Sequence, residues 1–208
     1  MSSSQRACCT IPPVASNYEP VGTLETIKSD TVPEMSVYVV GPKDTKKAVI
    51  VFYDIMGFHN NTKQFCDILA KYCGYKVLLP DFFRGSSWDP SRMTPEDIPK
   101  LMAWIGEIGT IQKIRPDVDL LREWLEKQGV IQAGLVGFCW GAKVAIQVTD
   151  EGSFFGGAAL IHPSMVDIKD AEAATAPVLA LPTKDEPDMV TRYLCFFFRI
   201  YYTTLLYI

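Results

Sequence analysis

The sequence predicts an α/β fold: three layers, with a mostly parallel, doubly wound sheet between helices. Two observations carry this expectation. Short apolar runs alternate with segments of helical periodicity along the chain, which is the order of βαβ units. The runs are also continuous in apolarity rather than alternating. Ala48 to Tyr53, for example, reads AVIVFY, which suits a strand buried on both faces of a parallel sheet. Right-handed crossovers would then put helices on both sides.

The elements follow in order. Residues 1–20 are rich in Ser and Pro and read as an extended N-terminal arm. Ser36 to Val40 is a short β-prone run ended by Gly41 and Pro42. Ala48 to Tyr53 is the first buried core strand, and the chain must turn after it at Asp54, Ile55, Met56 and Gly57. Phe65, Ile68, Leu69 and Tyr72 have the i, i+3, i+4, i+7 spacing of one helical face, with Gly74 as the C-terminal cap. Lys76 to Leu79 is a second buried strand, stopped by Pro80. Thr94, Pro95, Glu96 and Asp97 have the chemistry of a helix start: a capping hydroxyl, Pro in the first turn, then acids. Ile98, Leu101, Met102 and Ile105 give that helix an apolar face. A further helix is expected over Pro116 to Lys127, a strand over Gly134 to Phe138, and a small-residue helix over Gly141 to Thr149. Gly157 to Ile161 and Val178 to Leu181 read as two more strands. No internal repeat is visible.

Composition narrows the function classes. A chain of 208 residues, 48% hydrophobic, fits one globular domain. The formal net charge is −4 and the chain has no long basic run, so no nucleic-acid partner is expected. The six cysteines include no CxxC pair, and the two histidines stand apart; neither a metal site nor a cofactor is expected. Adjacent Cys8 and Cys9 read as reduced thiols on the arm, with a disulfide or an acylation site as the alternatives. The first residues lack the apolar core of a signal peptide, and the expected location is cytoplasmic. The oligomeric state is not legible.

The chemistry-bearing motif is Gly137-Phe138-Cys139-Trp140-Gly141, a G-x-[SC]-x-G pattern between an expected strand and an expected helix. Such a turn holds its nucleophile in a strained backbone conformation and needs small neighbours on both sides. It sets the Cys139 sulfur at a helix N-terminus, whose positive end favours thiolate over thiol. The Trp140 N–H becomes one donor of an oxyanion hole. The alternative is a buried core cysteine without chemistry.

GFCWGAK at 137–143, VIVFYDIMGF at 49–58 and LLPDFFRG at 78–85 together resemble the dienelactone hydrolase (carboxymethylenebutenolidase-like) family. The N-terminal CCTIPPVASNYEPVG at 8–22 is similar to its fungal-type branch. The resemblance covers the chain from near its start to about Asp188, with residues 21–191 expected as one domain, and implies an α/β-hydrolase that opens small esters or lactones with a Cys-Asp-His triad. It implies Cys139 as nucleophile and Ile55 N–H as the second oxyanion donor. It places Asp54 where the family often has a Glu that pairs with the nucleophile; capping of the turn is the competing role. Asp185, after the strand in VLALPTKDEPD, is the implied triad acid, with Asp188 as the second choice. Arg84, beside Phe83, is implied to help line the pocket and hold a substrate carboxylate.

The family's base, a His about thirty residues beyond the acid, would fall past Ile208. The chain offers only His59, expected on a surface loop, and His162, expected on the pocket wall at a strand end. From Arg192 the sequence turns into RYLCFFFRIYYTTLLYI, an apolar, aromatic tail (192–208) unlike the family. The expectation is therefore a hydrolase impaired by the missing His and divergent at its C-terminus. The alternative is an inactive paralogue that binds ligands or partners. Membrane attachment through the tail is the least favoured reading, because Arg199 interrupts it and it is short for a span.

Overall fold

The structure is a computed structural model in which residues 17–149 and 152–183 are described. Cys8, Cys9, Asp185, Asp188 and the 192–208 tail lie outside them. The described residues form a seven-stranded sheet in the order β1-β2-β4-β3-β5-β6-β7. Its strands are β1 (Thr23–Ile27), β2 (Met35–Val40), β3 (Lys47–Phe52), β4 (Lys76–Pro80), β5 (Gln132–Phe138), β6 (Phe155–Ile161) and β7 (Val178–Leu181). β2 runs antiparallel to β1 and β4, and the pairs from β4 through β3, β5 and β6 to β7 are all parallel.

Among the described residues five α-helices connect the strands: α1 (Asn60–Cys73), α2 (Ile98–Ile108), α3 (Ile111–Lys127), α4 (Trp140–Val148) and α5 (Ile168–Ala173). Adjacent strand residues face opposite sides of a sheet, and the end of β5 uses this. Phe138 meets Phe65 of α1 edge to face, with centroids 5.2 Å apart, while Gly137 abuts the backbone of α4. α1 and α4 therefore cover opposite faces, as the doubly wound reading requires.

The core is the sheet itself. Ile50, Val51 and Phe52 of β3 and Val77, Leu78 and Leu79 of β4 are fully buried, which explains why their sequences carry no polar alternation. Gly74 caps α1 in the left-handed conformation (φ 69°), its N–H donating to Ala70 O at 3.0 Å.

Two helix starts differ from expectation, and proline is the reason in both. α2 begins at Ile98, three residues after Pro95. Had it begun at Pro95, Pro99 would have lain in the fifth position, where a helix needs its N–H. Beginning at Ile98 puts Pro99 in the first turn, and the Thr94–Asp97 segment closes as a separate turn with Asp97 N–H donating to Thr94 O at 3.0 Å. α3 begins five residues before Pro116, at Ile111. Here the helix tolerates the proline inside, forgoing the bond to Gln112 O, because the earlier turn buries Ile114 (1% exposed).

The arm is anchored at its end. Tyr18 OH and Val21 N–H both donate to Asp67 Oδ2 of α1, at 2.8 and 3.0 Å, and Tyr38 OH of β2 donates to Oδ1 at 2.5 Å. A groove of about 410 Å³ opens along the starts of β3, β5, β6 and β7, lined by Lys47, Gln132, Gly134, Gly157 and Leu179 among others. These strands run parallel, so it lies at the end of the sheet remote from Cys139.

Candidate active site

Cys139 sits between the last residue of β5 and the first of α4, at φ 52° and ψ −113°. A positive φ is strained for a residue with a side chain and is kept only where surroundings enforce it. Three backbone bonds do so. Cys139 N–H donates to Ile161 O at 3.1 Å, and Cys139 O accepts from Ala142 N–H and from Ser164 N–H, each at 3.2 Å. The glycines on either side serve the approach of strand to helix. A methyl group on Gly137 would overlap the Gly141 and Ala142 backbone, and one on Gly141 would overlap the Phe52 and Tyr53 carbonyls.

That second approach brings the start of α4 against the turn after β3. The turn is closed by Gly57 N–H to Asp54 O at 3.1 Å and by Met56 N–H to Asp54 Oδ1 at 2.8 Å. Asp54 thus has the capping role weighed from sequence. The Ile55 amide takes no part in these closures. Ile55 O instead accepts from Trp88 N–H at 2.9 Å, tying the turn to the next loop. Trp140 N–H is the first amide of α4 and has no intrahelical acceptor. The two amides expected to hold an oxyanion stand on turns packed against each other.

An aromatic floor supports both turns. Tyr53, Phe83 and Trp140 are all buried. The Phe83 ring lies 4.4 Å from Trp140 and 4.8 Å from Trp104 between centroids. Trp140 Nε1 donates to Gly109 O at 2.8 Å. Tyr53 OH accepts from Phe83 N–H at 2.6 Å and donates to Asp81 Oδ1 at 3.0 Å. Burial, with the Asp81 charge beside it, pushes the Tyr53 phenol far above its ordinary value. This floor was not read from sequence; the YD and DFFRG segments carry it, but their pairing is not local.

Arg84 is placed differently from its expected part in the pocket. Its guanidinium grips Asp117 of α3 with two bonds, Nη2 to Oδ1 at 2.8 Å and Nη1 to Oδ2 at 3.1 Å. Its remaining donors reach the carbonyls of Glu34 (3.1 Å), Pro33 (3.1 Å) and Phe82 (3.2 Å). Lys143, the last residue of GFCWGAK, is similarly engaged, by Asp170 at 2.6 Å and Asp167 at 3.0 Å. Burial opposes its charge, but those two bonds prevail and its pKa lies above the ordinary lysine value. Asp167 and Asp170 form a capping box at the start of α5, a local signal that could have revealed this short helix.

His162 follows β6 directly, half-buried, at φ 39°. Burial lowers its pKa from the ordinary 6.5, and the Asp54 charge works the other way. His59 is the exposed residue before α1. Asp185 lies outside the described residues. Cys66 is fully buried, which pushes its thiol up to about 12, whereas Cys73 is exposed.

A mostly parallel sheet with a strained strand-to-helix turn between its fifth strand and the following helix fits an α/β-hydrolase fold. Solved structures agree: a putative dienelactone hydrolase from Klebsiella pneumoniae superposes with TM-score 0.71 at 22% identity, covering 90% of this chain and 84% of that one. An esterase of Pyrococcus furiosus gives 0.68 at 14%, covering 94% and 87%. Within that class the chain belongs to the dienelactone hydrolase family, whose profile matches residues 35–190. Relatives include Dienlactone hydrolase 1 of Gibberella moniliformis, 29% identical over 81% of this chain and 65% of its own length. The carboxymethylenebutenolidase homolog of Mus musculus is 38% identical over 56% of this chain and 47% of its own length. The chain thus spans about half to two thirds of the length of these relatives. Among the described residues no helix is long and apolar enough to cross a membrane.

Proposed function

We propose that the chain hydrolyses small carboxylic esters or lactones through a covalent thioester on Cys139. The observation that carries this reading is the strained Cys139 backbone at the head of α4, fixed by bonds to Ile161, Ala142 and Ser164. Such strain concentrates where a side chain must be presented, and here it coincides with the head of a helix directly after a core strand. The sulfur attacks the carbonyl carbon, the C=O electron pair moves to oxygen, and the Ile55 and Trp140 amides receive that charge. Membership of the dienelactone hydrolase family supports the ester or lactone class.

Asp185 remains the proposed triad acid on the strength of the resemblance. Asp54 holds the oxyanion turn in shape and adds negative charge near the pocket. Arg84 acts as a clamp between the β4–α2 loop and α3. Steady-state hydrolysis of p-nitrophenyl acetate and of a simple butenolide tests the reading. Cys139→Ala should abolish turnover of both. Full activity in that variant, or binding of the butenolide without turnover by the unaltered chain, would replace the enzymatic reading.

A further inference from the structure

The turn that carries the Ile55 amide runs almost directly into α1. Phe58 and His59 alone separate Gly57 from Asn60, the first helical residue. The sequence does not secure that helix start locally. His59 stands at the N-cap and makes no side-chain bond to the helix, where Ser, Thr, Asp or Asn would satisfy an orphan amide. We infer that the N-terminal arm secures it instead, and that Asp67 is a positioning residue for the reaction, clasping the arm along α1 so that the Asp54–Gly57 turn holds the Ile55 amide in place. This rests on the reading of Cys139 as nucleophile and Ile55 as oxyanion donor.

The clasp is a carboxylate with partners from the arm and from β2. Asp67 is 5% exposed, and a buried carboxylate is costly unless its oxygens are bonded. Both are. Oδ2 accepts from Tyr18 OH at 2.8 Å and from Val21 N–H at 3.0 Å, and Oδ1 accepts from Tyr38 OH at 2.5 Å. Tyr38 OH in turn accepts from Gly22 N–H at 2.6 Å. That approach needs a glycine, since a methyl group on Gly22 would overlap the Tyr38 ring. An apolar residue at position 67 would bury this face of α1 equally well. A carboxylate with three fixed donors also sets where arm, helix and strand stand relative to one another.

From the clasp the arm reaches back to the start of α1, about two helical turns away. There Asn60 Nδ2 donates to Tyr18 O at 3.4 Å. Two backbone bonds carry the constraint on to the turn: Lys63 N–H to His59 O and His59 N–H to Gly57 O, both at 3.1 Å. A cation lies beside them. Lys63 Nζ is 4.3 Å from the ring centroid of Phe58, the residue after the turn, and 5.9 Å from that of Tyr38, which shares Asp67. Gly57 N–H then closes on Asp54 O across Ile55. None of these links passes through Cys139, whose backbone is held by Ile161, Ala142 and Ser164. Releasing the arm should therefore disturb the oxyanion amide and spare the thiol.

The test uses the full chain with Tyr18→Phe and Val21→Pro together, which removes both arm donors to Asp67 and leaves every core residue in place. Release is read by hydrogen exchange and mass spectrometry: peptides covering Gly22 and the first turn of α1 should exchange about tenfold faster. In p-nitrophenyl acetate hydrolysis kcat should fall by about tenfold with KM within about twofold. That is less than the 10²–10³-fold of an oxyanion donor removed outright, because this one is only displaced. Alkylation of Cys139 by iodoacetamide should keep its rate within about twofold. Asp67→Asn, which turns an amide NH2 toward one side of the clasp, should give the same pattern. An unchanged kcat with the arm released means that the strap serves stability alone, and overturns the inference. So does unchanged exchange at the start of α1, or a fall in kcat matched by a fall in Cys139 alkylation. Turnover by Cys139→Ala would remove the underlying reading, and this inference with it.

Discussion

Replacing Tyr53 by Phe deletes one oxygen atom, and the structure indicates what that atom does. The ring is fully buried. Its hydroxyl accepts from Phe83 N–H at 2.6 Å and donates to Asp81 at 3.0 Å. Without it the Phe83 amide is left in an apolar floor with no acceptor, which costs about 1–3 kcal/mol. Asp81 is half-buried and keeps the Gly85 N–H bond at 2.9 Å, so water can replace the phenol there and the second loss is small. The expected destabilisation is about 2–3 kcal/mol. For a chain of this size that corresponds to a Tm lower by about 4–12 °C. Thermal unfolding followed by circular dichroism measures it, with Tyr72→Phe at an exposed site as the control. Because Tyr53 precedes the Asp54-Ile55 turn, kcat for p-nitrophenyl acetate should fall as well, with KM little changed. A Tm within 1 °C of the unaltered protein would refute the claim that this hydroxyl satisfies a buried amide.

The other predictions bear on neighbouring groups. Arg84→Met leaves Asp117, only 4% exposed in its side chain, without its cation; urea unfolding should show a loss of about 3 kcal/mol, at the low end for a buried pair because the arginine is partly hydrated. The same variant should keep its preference between neutral and carboxylate-bearing esters, and a KM rise confined to the latter would return Arg84 to the pocket. Cys66, with its thiol at about 12, should resist iodoacetamide at pH 8 in the folded protein while Cys139 and Cys73 react; peptide mass mapping reads this. His162 has a folded pKa below 6.5, so the unfolded chain binds its proton first as pH falls. Its contribution is fully present above pH 6.5 and is lost as pH drops from there toward the folded value. Melting curves between pH 5 and 8 should flatten on the acid side in His162→Gln.

The parallel core was legible because its strands are buried on both faces, and continuous apolarity then marks them directly. β3 to β7 fall within two residues of their expected bounds. β1 was missed because it is an edge strand with four of five residues exposed, so TLETI carries no apolar signal. α5, at six residues, is too short for helical periodicity. In the site, the elbow around Cys139 was legible because strand, turn and helix are contiguous. The bond of Arg84 to Asp117 spans 33 residues and that of Trp140 to Gly109 spans 31, and no local pattern encodes either. His162 reads as structural or pocket wall because it ends a strand other than the one that precedes the family's base; the bonds of its neighbours Ile161 and Ser164 to Cys139 require the pairing of two strands.

The bond from Trp140 to Gly109 ties the joint between α2 and α3 to the residue whose amide is proposed to hold the oxyanion. A side chain at Gly109 would meet Trp140 Nε1 at 2.7 Å, and the buried indole would have to shift to admit it. Sequence variation at this joint therefore cannot be counted as loop variation. A change about thirty residues upstream would act on the geometry of the amide proposed to receive negative charge.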